Sequence, residues 1–318
     1  MTILALAGGV GGAKLAHGLQ ALRADQLQVV VNTGDDFEHL GFSISPDLDT
    51  VMYTLAGLEN RETGWGVRGE TWSFMDALAA VGGETWFKLG DRDLAIHVER
   101  TRRLRNGETL AAVTADLSRR LEVAARILPM SDERVSTQIH TPRGRLSFQE
   151  YFVACKCAPV ANGFTFDGIK AALPGEGFID ALSSPSLEAL VICPSNPFVS
   201  IGPILALPGI RARLMELDVP SVAVSPIVGG DAIKGPAAKM MRELGHEVSP
   251  LSIALMYKDV LDGIIIDETD AQWMKAIEDQ GIAVTVTDTI MRTAGERRWL
   301  AEQTLLFVET LKAGSRDE

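Results

Sequence analysis

The sequence is poor in cysteine, in net positive charge and in long apolar runs, and each shortage removes a class of function. Its three cysteines, Cys155, Cys157 and Cys193, have the spacing of neither a zinc site nor a disulfide framework. A reducing, cytoplasmic setting is the expectation. The five histidines show no metal-ligand spacing. Lysine and arginine number 30 against 42 acids, for a net charge of −12. General attraction to nucleic acid or to an anionic membrane is therefore not expected. No apolar run reaches the ~18 residues a membrane span needs. The N-terminus enters a strand at Thr2 without a basic flank, so a secretory signal is not expected either. No Cys–His or Ser–His pair offers itself as a covalent nucleophile.

What is present fits a soluble α/β protein. The 318 residues, 46% hydrophobic and 23% charged, suit one large domain with a smaller insertion. Buried-strand runs recur at Thr2 to Ala7, Gln28 to Asn32, Glu188 to Cys193, Pro220 to Val224, Gly263 to Asp267 and Ala283 to Thr287. Helical patterns separate them, and Arg297 to Leu311 closes the chain before a polar tail, Ala313 to Glu318. Leu128 to Asp132 reads as a break. Val135 to His140 and Arg145 to Phe148 alternate about a turn, as a hairpin does, and a Gly- and Pro-rich stretch follows at Pro159 to Gly177. The expected architecture is a Rossmann-like three-layer sandwich with a largely parallel sheet. Its core spans 1–130 and 186–318, and 131–185 forms a small inserted α+β unit.

The first strand delivers Gly8-Gly9-Val10-Gly11-Gly12-Ala13-Lys14 ahead of a helix reaching about Leu22. Strand, glycine loop and helix make a generic anion cradle, so Gly9, Gly11, Gly12 and Lys14 are candidate phosphate ligands. The loop is not a P-loop, because Ala13 and Leu15 stand where Gly and Ser or Thr would be needed. Nor is it a dinucleotide fingerprint, because Lys14 occupies the third glycine position, which disfavours an NAD-dependent dehydrogenase. With the metal-binding hydroxyl missing, a cation has to be held elsewhere. Asp35, Asp36, Asp47 and Asp49 gather in loops at or just beyond the end of the second strand, and hard oxygen ligands of this kind suit Mg²⁺. Turn or capping roles explain the same aspartates without a metal.

Further polar loops stand at other strand ends. Ser195 and Asn196 follow the 188–193 strand, where they can bond a base, ribose or phosphate or simply form an Asn-Pro turn. Lys234 and Gly235 offer a second anion-binding loop. Lys88, between Phe87 and Leu89, is a candidate pocket contact. Gly90-Asp91-Arg92-Asp93 opens a helix and allows a solvated capping box. Trp65 and Trp72 are free either to stack on a planar ring or to enter the core.

Taken in order, GGVGGAK at 8–14, NTGDD at 32–36, SPDLDTVMYTLAG at 45–57, KLGDRDLA at 88–95, LPMSDE at 128–133, PSNPFVSIGPILALPGIR at 194–211 and SPIVGG at 225–230 resemble the 2-phospho-L-lactate transferase family (CofD/FbiA) of coenzyme F420 biosynthesis. The resemblance covers nearly the whole chain. It implies an Mg²⁺-dependent transferase. A phosphorylated three-carbon acid, derived from 2-phospholactate, phosphoenolpyruvate or 3-phosphoglycerate, would pass from its guanosine diphospho ester to the ribityl hydroxyl of the deazaflavin FO, with GMP leaving. It implies FO contacts at Asp49 and Lys88, a metal-associated loop at Asp35 and Asp36, nucleotide contacts at the glycine and Ser-Asn-Pro loops, and a homodimer. With Asp49 added as metal ligand, Asp35 and Asp49 become the expected catalytic pair. A related class, the non-catalytic nucleotide-sugar-binding regulators of YvcK type, shares the glycine loop and sheet. The PDLDT and GDRD stretches favour the transferase.

Overall fold

A computed structural model describes residues 2–314. The polar tail expected at Ala313 to Glu318 thus lies largely outside the described residues. Seven strands form the central sheet: β1 (Thr2–Ala7), β2 (Leu27–Val31), β3 (Arg126–Pro129), β4 (Leu187–Ile192), β5 (Ser221–Val224), β6 (Gly263–Asp267) and β7 (Ala283–Thr287). Their spatial order is β3-β2-β1-β4-β5-β6-β7, and every neighbouring pair is parallel. This is the Rossmann order extended by one strand, so the crevice at the switch point lies between β1 and β4.

Alternation along each strand sorts the core into two faces. Leu4, Leu6, Val30, Leu190, Ile192, Ile264 and Ile266 point to one side. Ile3, Ala5, Ala7, Val29, Val31, Val191, Val222 and Ile265 point to the other. The second face is covered by helices α1 (Gly9–Arg23), α2 (Pro46–Leu55) and α5 (Leu110–Arg120) and by the C-terminal helix Ala294–Gly314. Gly18 lets α1 approach that last helix closely, since a Cβ there would lie 2.0 Å from the carbonyl oxygen of Arg297.

The first face is covered partly by the 131–185 segment. Its strands Ser136–Thr141, Gly144–Ser147 and Gly163–Asp167 form a separate antiparallel sheet. Val135, Ile139, Phe148, Tyr151 and Phe178 nevertheless belong to the same buried cluster as the central sheet. The insertion is welded to the core and has no separate centre of its own. The hairpin follows the sequence expectation. Its third strand falls inside the Gly- and Pro-rich stretch and was hidden by that composition.

Three local expectations are corrected. The break expected at Leu128 to Asp132 starts only after Pro129, because Leu128 and Pro129 close an edge strand, β3, only four residues long. The glycine run is not a loop before a helix: α1 already begins at Gly9, with Gly8 as its N-cap. Asp47 and Asp49 do not lie in a loop but in the first turn of α2 behind Pro46. A negative side chain is favourable there because four backbone N–H groups are unsatisfied.

Candidate functional site

Gly8, at the tip of β1, and Pro194-Ser195, just past β4, meet at the switch point. Ser195 Oγ accepts from Gly8 N at 3.1 Å and donates to Gly8 O at 2.8 Å. The two loops touch so closely that a Cβ on Gly11 would stand 2.1 Å from the Pro194 carbonyl oxygen, and one on Gly12 2.6 Å from Ser195 Oγ. Gly11→Ala must therefore push the loops apart. Overpacking of this kind costs roughly 1–3 kcal/mol, and a drop in the denaturation midpoint would register it; an unchanged midpoint would show that the loops yield freely.

Above this junction opens a cleft of about 870 Å³, at the upper end of the range for ligand sites. Gly9, Gly11, Lys14, Asp35, Asp49 and Lys88 line it, as do Ser195 and Asn196. The polar loops singled out in the sequence thus converge. Gly12 packs behind the wall and Asp36 turns aside. Both loop residues after β4 already have partners: Asn196 Oδ1 accepts from the backbone N of Phe198 at 2.9 Å and caps the π-helical turn Pro197–Ile201.

The acidic stretch divides into two groups. In the first, the fully buried Asn32 uses one amide nitrogen to donate to Asp35 Oδ1 at 3.1 Å and to Asp47 Oδ2 at 2.9 Å. Its oxygen accepts from Gly34 N at 2.8 Å, which fixes the amide's orientation. Burial, and then the Asp47 charge, push the Asp35 carboxyl well above its ordinary range. Burial lifts Asp47 to about 6, against the Asn32 bond and a bond from the Gly9 backbone. No ion pair reaches either aspartate among the described residues. Two buried carboxylates sharing one neutral donor need a proton or a cation between them.

In the second group, Asp49 is clasped by the buried Arg100, through Nη1 at 3.0 Å and through a second, closer contact from Nη2. His97 Nδ1 stands 3.6 Å from Asp49 Oδ2, and His97 Nε2 stands 3.3 Å from Asp93 Oδ1. The Tyr53 hydroxyl donates to Asp93 Oδ1 at 2.6 Å. Burial opposes charge on Arg100, but Asp49 overcomes it and raises the guanidinium's pKa. Burial likewise opposes charge on Asp93, but the bonds from His97 and Tyr53 hold its pKa below the ordinary value. Asp49, Asp93 and His97 bring one ligand atom each within 4.8 Å of one another. The guanidinium beside them already supplies the positive charge. Asp36 belongs to neither group: it accepts from Ser45 Oγ at 2.6 Å, and its Oδ1 is shut from solvent without a partner.

Sequence reasoning did not find Asp93, His97 or Arg100 as a unit. All three lie on helix α4 (Asp91–Arg105) at i, i+4 and i+7, one face of one helix, and that spacing was the available signal. Asn32 was read only as the end of a strand. The Gly90-Asp91 corner is structural, as its capping reading allowed. Asp91 accepts from Ser73 N and Phe74 N at the start of helix α3 (Ser73–Ala80), and Glu70 accepts from Arg92 N and Asp93 N at the start of α4. α3 is capped by the first residue of α4, and α4 by an acid from the segment leading to α3.

The aromatic residues part company. Trp65 lines the cleft, whereas Trp72 stands outside it with Lys88 Nζ 5.9 Å from its ring centre. Trp86 and Phe87 line the cleft together with Trp65, in edge contact with Phe37 and His39. Across the opening, the insertion contributes Phe148 and Phe152, stacked with 5.5 Å between ring centres.

Comparison with known proteins follows this geometry. The chain is 40% identical to a phosphoenolpyruvate transferase of Streptomyces griseus, over 98% of this chain and 100% of the relative. It is 38% identical to a 2-phospho-L-lactate transferase of Methanosarcina mazei, over 94% and 98%. A solved UPF0052-family protein from Bacillus halodurans superposes with a TM-score of 0.60 over 96% of this chain and 98% of that one; at 14% identity it is evidence of the fold alone. The family model described as 2-phospho-L-lactate transferase CofD matches residues 3–304, nearly the full length, and the chain, a transferase, belongs to that family.

Proposed function

We propose that this transferase serves coenzyme F420 biosynthesis. It would move a phosphorylated three-carbon acid from its guanosine diphospho ester to the ribityl hydroxyl of the deazaflavin FO and release GMP. One observation carries the reading: the glycine-led start of α1, the Asp35–Asp47 pair, Asp49 and Lys88 all face a single cleft large enough for two substrates. A homodimer in a reducing cytoplasm is part of the same reading, and the dimer is open to test by sedimentation.

The residues present fit Mg²⁺. Asp35 and Asp47 would hold it, because they are buried, adjacent and free of ion pairs. Asp36 would join by turning from Ser45, and Asp49 only by leaving Arg100. When bound, the ion would offset the charge of the diphosphate and of the departing GMP. The remaining work falls to side chains. The backbone N–H groups at the start of α1, with Lys14, receive phosphate oxygens. Lys88 and the Trp86–Phe87 wall position the deazaflavin ring. Asp49, held in place by Arg100, orients the ribityl hydroxyl and accepts its proton as the oxygen attacks phosphorus.

The test mixes protein, Mg²⁺, FO and each of the three guanylylated acids, with mass spectrometry of the products. A phosphodiester of FO with one acid supports the reading and identifies the donor. Failure with all three sinks it. Asp49→Asn should lose turnover and keep its fold; full activity in that variant removes Asp49 from the mechanism.

A further inference from the structure

Two loops that the mechanism leaves unused meet over the start of α1. One runs from Asn60 to Gly66 and the other from Gly229 to Pro236. Lys234 Nζ donates to the Thr63 carbonyl oxygen at 3.0 Å, joining positions 171 residues apart in sequence. Beneath the joint lies the first turn of α1: a Cβ on Gly64 would lie 2.5 Å from Lys234 Nζ and 3.2 Å from the Val10 side chain. Lys234, Thr63, Gly66, Val10 and Lys14 line the same cleft.

The charges at this corner are poorly matched. The first turn of α1 holds no acid of its own and its N-cap, Gly8, has no side chain; the one carboxylate that meets it among the described residues is Asp47, which accepts from the Gly9 backbone. Lys14 has no ion pair or hydrogen bond among the described residues. Burial, and then the charges of Arg297 and Lys234, hold its pKa below the ordinary value, while Glu296 and Glu59 act the other way. Arg297 is already matched by Glu59 at 3.1 Å. Among the described residues Lys234 bonds only a neutral carbonyl. Two ammonium groups thus face one space beside a helix N-terminus, and an anion of two or more charges placed there would satisfy both.

We propose that Lys234 is a latch for the donor's diphosphate, leaving the Thr63 carbonyl for a phosphate oxygen when the site fills and so releasing the Asn60–Gly66 loop. The inference rests on the phosphate site of the proposed function but deepens it, adding a substrate-binding residue and a moving part. The release has a built-in reporter. Thr63 Oγ1 donates to the Trp65 carbonyl oxygen at 2.6 Å, so the loop that Lys234 ties down carries a half-exposed indole on the cleft wall.

The test uses the whole protein with Mg²⁺, and GDP or inorganic pyrophosphate as probe, followed by calorimetry and tryptophan fluorescence. Trp65→Phe identifies the share of the signal that comes from the loop. Lys234→Met is expected to raise the Kd of both probes at least tenfold and to remove the Trp65 response, while FO binds as before. Lys234 is exposed, so the variant should fold, and unchanged FO binding checks it. Lys234→Arg should retain most of the affinity. In turnover, Lys234→Met should raise KM for the donor more than it lowers kcat. Tight probe binding by Lys234→Met, equal to wild type, overturns the latch and leaves the functional reading standing. Binding of pyrophosphate but not GDP by the wild type, with the tenfold loss in Lys234→Met, overturns the guanosine donor and leaves the latch standing.

Discussion

Arg100→Met is expected to lower stability by ~3–5 kcal/mol, the usual cost of stripping one partner from a buried ion pair. The cause is specific. Arg100 is 1% exposed, and its guanidinium clasps the Asp49 carboxylate beneath the cleft, with Asp93 close by. Methionine fills much of the same space but leaves the Asp49 carboxylate buried without its cation. Urea titration at neutral pH should show the loss as a lower midpoint with a similar slope. Adding Asp49→Asn to Arg100→Met should recover much of it, because the stranded charge goes too. The double variant should nevertheless stay inactive. A wild-type midpoint in Arg100→Met would mean that Asp49 does not depend on Arg100 as its partner.

Asp47→Asn should do the opposite to stability while sharply lowering activity. The folded carboxyl is raised to about 6 from an ordinary value of 3.8. The folded state therefore binds a proton more readily than the unfolded chain does between those values. Stability is favoured below about pH 4, falls as pH rises through that window, and carries the full penalty above about pH 6. Two pH units correspond to roughly 2–3 kcal/mol. Asparagine carries no such penalty, so the metal-free variant should equal or exceed wild type at pH 8 and lose its advantage near pH 4. Asp35, also pushed upward by burial and by the Asp47 charge, adds a loss of the same sign. Mg²⁺ should reverse the wild-type loss, with a melting-temperature rise that grows above pH 6 and is absent in Asp47→Asn. Turnover should fall by roughly two to three orders of magnitude, as when one preorganised electrostatic group is removed. A variant less stable than wild type at pH 8, or a Mg²⁺ response that survives in it, would overturn this account of the pair.

Six of the seven sheet strands were legible as apolar runs rich in β-branched residues; five of them are buried on both faces, as a parallel sheet covered by two layers requires, and β7, at the edge, is mostly half-buried. The seventh, β3, is short, begins with a charged residue and ends in proline, so it carries no such run. Polar loops at strand ends were legible for the same topological reason, and they do converge on one cleft. The pairing of charges inside it was not. Asp93, His97 and Arg100 sit in a helix so rich in charge that it reads as a solvated face, yet this one stripe is buried. Whether Asp49 faces a metal or a guanidinium depends on where α4 docks, and that depends on the reciprocal caps at Glu70 and Asp91, whose meaning appears only in three dimensions. Asn32 is similar: one polar residue past an apolar strand carries no mark of the two carboxylates it will join.

The position of β1 in the middle of the sheet bears on how the chain is made. Leaving the ribosome, β1 finds β2 almost at once, but its other edge is meant for β4, which starts only at Leu187. At ~5–20 residues per second, synthesis keeps that edge waiting for roughly ten to thirty seconds. During this interval a flat apolar strand is open to pairing with a neighbouring nascent chain. Fragments that stop before Leu187 should therefore clump, and making fewer chains at once, by weaker induction, should raise the soluble yield of the whole protein.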